Sequence, residues 1–282
     1  MTRSHIHEGV VLRYVMWALT VAVLVLLYLP MLPPPIFSLG DKGVADALSH
    51  PSLAAYGDIW GQPVLLQAIW NSLGVALVVG LVTPTLAVLG AMAVRELHIP
   101  RVVLLLTLLP LFIPGVSMGL ATAFLFERMG LEPSLLSICI VNVLWALPFA
   151  FLVVLTVMSS FDTVQLEAAW MLGSNRWRAF WDVEFPSIRP GVVGAATFSM
   201  ILSFNETART SLVQGINNTV QTYIWSTYKQ VGLSPTLYAL MTVLILVTLV
   251  LVFAFWSVSG AGARSRAGQF ESSRKRVGKL SR

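Results

Sequence analysis

The sequence predicts an all-α membrane protein, a bundle of six transmembrane helices, on three observations. Hydrophobic residues fill 56% of the 282 positions and charged residues 11%, where a soluble domain is about a quarter charged. Six stretches supply the roughly 20 mostly apolar residues that a helix needs to cross a hydrocarbon core. Only a form that satisfies its own backbone polar groups spans lipid, and for an isolated segment that form is a helix. The third observation is the alternation of Lys and Arg between the two sides of those stretches, as the retention of basic residues in the cytoplasm requires.

The first stretch, 12–30, follows Arg3, His5, His7 and Arg13. Its apolar run is too long for a secretory leader and passes into Pro30, Pro33, Pro34 and Pro35 without a small-residue cleavage pattern, so it reads as a retained anchor. The segment from Met31 to Leu66, with Asp41, Asp46 and Asp58, is expected to lie outside and cover the outer mouth. Further spans are expected at 67–94, 102–126, 135–158, 190–209 and 236–259. Pro84, Pro110, Pro114 and Pro148 fall inside them and should bend their helices, since each removes one helical hydrogen bond.

With the N-terminus inside, the inner segments hold Arg3 and Arg13, then Arg95 and Arg101, then Arg176, Arg178 and Arg189, then the basic tail from Arg264 to Arg282. The outer segments hold Lys42, Arg128 and Lys229. Both termini are therefore expected in the cytoplasm. The chain divides into a cytoplasmic segment 1–11, a transmembrane domain 12–259 with an inner loop 159–189, and a basic tail 260–282 suited to anionic headgroups rather than to nucleic acid.

That inner loop carries helix signals. Asp162 with Gln165 has the spacing of a capping box, Gly173 suits the left-handed end of a short helix, Ser174 or Asn175 caps a second, and Pro186 is expected to stop it. Val164, Ala168, Met171 and Leu172 share one helical face, as do Trp177, Phe180 and Trp181 on the second helix. Arg176, Arg178, Asp182 and Glu184 are expected to keep the opposite side wet, so the loop is not a seventh span. Its apolar faces either pack against the chain's own helix ends or form a docking surface.

Enzyme classes lose ground on the same residues. All four histidines, His5, His7, His50 and His98, lie in terminal or loop segments, which leaves Ser199 and Ser203 in span five without an evident base. Cys139 is the single cysteine, so the chain holds no internal disulfide and no cysteine metal site. A phosphate-binding loop fails at Gly278-Lys279, which is followed by Leu280 and has Ser273 where the first glycine belongs. No cofactor of the chain's own is expected. Asn205, Glu206 and Arg209 place charge in or at the edge of span five, where it serves either a substrate pathway or a local pair on one helical face.

Glu167-Ala168-Ala169, three residues, Gly173, nine residues, then Val183-Glu184-Phe185-Pro186 resembles the EAA loop of binding-protein-dependent ABC importer permeases. Within that family the chain is most similar to the spermidine/putrescine type, through Tyr228-Lys229-Gln230-Val231-Gly232-Leu233-Ser234-Pro235 and Ala239-Leu240-x-Thr242. The resemblance implies a type I importer fold in the bacterial inner membrane, doing no covalent chemistry. It implies a coupling helix with Glu167, Ala168, Ala169, Gly173, Trp177, Phe180 and Pro186 at the seat of ATPase subunits, which bind the ATP and Mg. It further implies a second permease, identical or homologous, and a periplasmic or extracellular binding protein. The resemblance implies a small organic solute as cargo, a polyamine or a related compound; where polyamine permeases often carry an acidic pair, this sequence reads Asn205-Glu206 with Arg209 nearby, a departure by one carboxylate that points toward other organic solutes. A secondary transporter is the competing class, and it gives no reason for the EAA spacing.

Overall fold

The structure is a computed structural model that describes residues 2–40, 47, 49–97 and 99–253, with side chains from Leu12 onward. The side chains of Arg3, His5 and His7, the residues Asp41, Lys42, Asp46 and His98, the end of span six and the basic tail lie outside the described residues. Contacts divide the chain into two units, 1–62 with 227–245, and 63–226 with 246–282.

In the first unit α1 (Thr2–Tyr28) leads through a short 3-10 turn, Leu29–Met31, into α2 (Pro33–Phe37), and α3 (Ala54–Trp60) follows. Prolines fall in the first turn of both short elements, where a residue needs no helical N–H partner. The Ser38 hydroxyl bonds the Tyr56 hydroxyl at 2.8 Å, and Phe37 stacks on Tyr238 at 5.2 Å. Across the described part of α1 the side chains are exposed, Trp17 at 62% among them. Apolar side chains left open along a whole helix suit lipid or another subunit.

The second unit is organised by α4 (Pro63–Glu96), α7 (Leu135–Ser159) and α10 (Phe185–Phe204), each packed on the other two. Its core includes Ala87, Ala91, Ala150, Phe151, Val154 and Ile188. Small residues bring the backbones together, as helix pairs in lipid require. A Cβ at Gly191 would lie 2.5 Å from Val157, and one at Gly80 would lie 2.5 Å from Met200. Pro84 and Pro148 sit inside uninterrupted helices, so the expected bends do not break α4 or α7.

Span three departs from a single helix. α5 (Pro100–Leu108) passes into a 3-10 turn, Leu109–Phe112, and α6 (Gly115–Arg128) leaves at 105° to it. Pro110 falls at the start of the tight turn, and Pro114 forces Ile113 into extended backbone, ψ 124°, by its clash with the preceding residue. Among the described residues five helical runs are long and apolar enough to cross a membrane, and the bent pair would make a sixth.

Span five also differs. The second helix of the inner loop does not stop at Pro186. α9 (Arg176–Ala179) runs through a π-turn, Phe180–Glu184, into α10, giving one helical run from Arg176 to Phe204. In the π-turn the Phe185 N–H reaches back to the Phe180 carbonyl, and Pro186 falls in the first turn of α10, where its missing N–H costs little. The run ends at Phe204, short of the expected Arg209. Asn205 caps it, its amide donating to the Ile201 carbonyl at 2.8 Å. A 12-residue helix, α12 (Val220–Val231), closes at Gly232, φ +86°, before α13 (Pro235–Phe253).

Candidate functional site

Two constellations concentrate the polar and exposed apolar chemistry of the second unit. The first is the loop between α7 and α10. The Asp162 carboxylate accepts the Val164 N–H at 3.0 Å, while the Gln165 N–H goes to the Asp162 carbonyl, so the cap is a local turn and not the reciprocal box expected from the spacing. α8 (Val164–Met171) carries Glu167, Ala168 and Ala169. It ends in a Schellman motif: the Ser174 N–H bonds the Ala169 carbonyl at 3.0 Å, and the Gly173 N–H bonds the Trp170 carbonyl at 2.9 Å. Gly173 has φ +85°, the left-handed region that glycine reaches without a Cβ clash. Asn175 then caps α9 by accepting the Arg178 N–H at 2.8 Å.

These caps turn α8 so that its apolar residues face out. Met171 and Leu172 are each 89% exposed, and Val164, Trp170 and Trp177 are exposed beside them. Glu167 and Ala168 are exposed as well. Leu166 is the buried residue of α8. Phe180 turns inward, half-buried against the core, and forms a ring cluster with Trp177, Trp181 and Phe185 at centroid distances of 4.8 to 6.5 Å. Pro186 is exposed on the first turn of α10.

Glu184, expected in water, is one of the most buried residues, at 1% exposure. Both of its carboxylate oxygens meet the Arg95 guanidinium, Oε1 at Nη1 and Oε2 at Nη2, the latter at 3.3 Å. Arg95 comes from the last turn of α4, and its Nε also bonds Glu96 at 3.1 Å. Sequence reading missed this pair because a lone Glu beside Asp182 and the arginines scans as a solvated face. The available signal was its spacing, three, four and seven residues after Trp181, Phe180 and Trp177, which puts it on their helical face.

The second constellation is Asn205, Glu206 and Arg209. They lie beyond the end of α10 in the turn before α11 (Thr210–Val213), so Glu206 and Arg209 form the local pair that the sequence offered as one reading, in a turn rather than on a helical face. Glu206 and Arg209 are each 6% exposed. Glu206 Oε1 accepts the Arg209 backbone N–H at 2.8 Å, and Oε2 accepts Nη1 at 2.7 Å. The guanidinium lies 3.7 Å above the Trp145 ring centroid, a cation–π contact, while its buried Nε has no hydrogen-bond partner among the described residues. Gly115 and Gly119 on α6 make room for it, since Cβ atoms there would fall 3.1 Å from the guanidinium and 3.0 Å from the Arg209 Cα. A buried chain adjoins the pair: the Asn142 amide donates to Ser203 Oγ at 3.1 Å, and Thr210 donates to Asn142 Oδ1 at 3.1 Å. Asn205 remains exposed.

Residues 84–259 match the family described as binding-protein-dependent transport system inner membrane component. The spermidine/putrescine transport system permease protein PotC of Escherichia coli (strain K12) is 28% identical over 141 residues, covering 50% of this chain and 53% of that protein. The thiamine transport system permease protein ThiP of Salmonella typhimurium is 29% identical over 241 residues, covering 82% of this chain and 43% of that protein. The chain thus spans about half the length of the curated relatives it matches. Among solved structures, a bacterial ABC transporter importing the acidic polysaccharide alginate aligns with TM-score 0.66 at 17% identity, over 91% of this chain and 98% of that one. The MetNI methionine ABC transporter aligns with TM-score 0.59 at 19% identity, over 73% and 98%. At these identities the likeness shows the fold, which is that of ABC importer permeases.

Proposed function

The chain belongs to the family of binding-protein-dependent transport system inner membrane components, and from that premise we propose that it is the permease subunit of an ATP-binding-cassette importer. The observation that carries the reading is α8. It is a capped helix outside the apolar spans, bearing Glu167-Ala168-Ala169 and presenting Met171 and Leu172 almost fully exposed. An apolar patch on the water-facing side of a membrane protein needs a partner, and the spacing around it suits the groove of an ATPase subunit. In this proposal Glu167, Ala168, Ala169, Gly173 and Trp177 form the seat, while Phe180 and Pro186 support it from the α9 and α10 side.

The mechanism follows from the division of labour. Two ATPase subunits bind ATP with Mg and close; the coupling loops move; and the spans of this chain and of a second permease turn from outward-open to inward-open. A soluble binding protein delivers the cargo, and the termini of this chain lie in the cytoplasm. The proposed cargo is a small organic solute, a polyamine or a related compound, a reading supported by the similarity to PotC. Both Glu206 oxygens are engaged by Arg209, so a cationic cargo would find no free carboxylate there, and selection by charge belongs to the binding protein.

Reconstitution of the chain with its ATPase subunits, partner permease and loaded binding protein in proteoliposomes tests this. Uptake of radiolabelled spermidine or of the binding protein's own solute should require ATP on the side of α8. Uptake driven by an ion gradient without ATP would overturn the proposal.

A further inference from the structure

We propose that the Arg95–Glu184 pair is a positioning device for coupling: a rigid joint that passes displacement of the α8–α9 loop into the second span. The inference rests on the reading of the chain as an ABC importer permease. Its basis is where the pair sits and what it replaces. Glu184 is the last residue of the π-turn, on which α8 rests and from which α10 departs. Arg95 occupies the last turn of α4, the helix that packs on both α7 and α10. The pair therefore joins the root of the loop to a helix end 89 positions away in sequence. A direct contact between packed elements is the kind of link through which displacement at one place can bias another, and a π-turn inside a helical run often marks a functional position.

The pair is part-buried, with the Glu184 side chain 2% exposed and that of Arg95 27%, and such a pair is a weak stabiliser, because the cost of withdrawing charge from water offsets the attraction and apolar residues of similar volume often hold as well. Its distinctive property is geometric. A bidentate guanidinium–carboxylate contact fixes distance and orientation together. Nearby apolar packing is non-directional: Phe180 and Phe185 pack on the cluster that contains Val88 of α4, and with Val88 and Met92 they line a groove of about 360 Å³. A loop held by that packing alone would yield under load; one held by the fork moves α4 with it. Arg95 also bonds Glu96 through Nε at 3.1 Å.

The test uses the full transporter in proteoliposomes and reads solute taken up per ATP hydrolysed, together with membrane abundance and ATPase copurification. Arg95→Lys keeps the charge and loses the fork; Arg95→Met with Glu184→Met removes the charges and keeps apolar volume. The joint predicts that both variants assemble with the ATPase, that hydrolysis continues, and that uptake per ATP falls by at least about fivefold, the lower end of typical coupling effects. If either variant assembles and keeps the wild-type ratio, the pair is merely structural and the inference fails. Should Arg95→Lys not insert, the double variant decides by the same ratio. A wild-type complex that never couples uptake to ATP overturns the parent reading instead, and with it the joint.

Discussion

A carboxylate that accepts two hydrogen bonds from one arginine has its charge balanced before any solute arrives. Glu206 is in that position, and Arg209 is further held over Trp145 and against the glycines of α6. Both are buried, so removing one partner strands a charge, at a cost of about 3–5 kcal/mol. Glu206→Gln and Arg209→Gln should each reduce membrane abundance, Arg209→Gln more because it also forfeits the Trp145 contact, and the double change should recover much of the loss. Quantitative immunoblots of membranes check this, and full abundance with lost uptake in Glu206→Gln alone would restore a pathway role. Gly115→Ala should mimic the defect in milder form by pressing a methyl to within 3.1 Å of the guanidinium. The presence of a charged pair was legible in the sequence. Its setting was not, because the end of α10 depends on Asn205 turning back to Ile201, and nothing in the apolar run before it announces that stop.

At the scale of elements, the end of α8 and the start of α9 were legible, since capping is local chemistry: Gly173 and Asn175 act on backbone within three residues of themselves, while Asp162 forms a turn one residue before the Thr163 N-cap instead of the expected box. The course beyond α9 was not. Pro186 is a helix stop in most settings, and only the wider π-turn before it lets the run continue into α10. Glu184 was misplaced for a different reason: at helical spacing it falls on the face of Trp177, Phe180 and Trp181, and its charge was weighed above that spacing. Gly173→Val should cost at least about 1–2 kcal/mol locally, the penalty for a branched residue at positive φ. No described neighbour lies within 4 Å of a Cβ there, so the effect is confined to backbone direction. Uptake should fall well below wild type at equal abundance, and normal uptake would show that the Schellman turn does not set the seat.

For the whole molecule, composition and the length of the apolar stretches anticipated the spans: among the described residues five are long helical runs, and the pair bent by 105° would make the sixth. The bend escaped prediction because two prolines in one apolar stretch, Pro110 and Pro114, read equally well as mild kinks. Orientation is tested by fusions: a fluorescent protein that folds only in the cytoplasm should glow at the C-terminus, and alkaline phosphatase joined after Arg128 should be active. The central claim is that the exposed face of α8 seats an ATPase subunit, and copurification tests it most directly. With Met171→Asp and Leu172→Asp combined, two residues each 89% exposed, no buried contact is lost, and two anions at the C-terminal end of α8 cost about 1 kcal/mol locally. Membrane abundance should stay at the wild-type level while the ATPase subunits no longer copurify in mild detergent. Undiminished copurification from an equally abundant double variant would contradict the account.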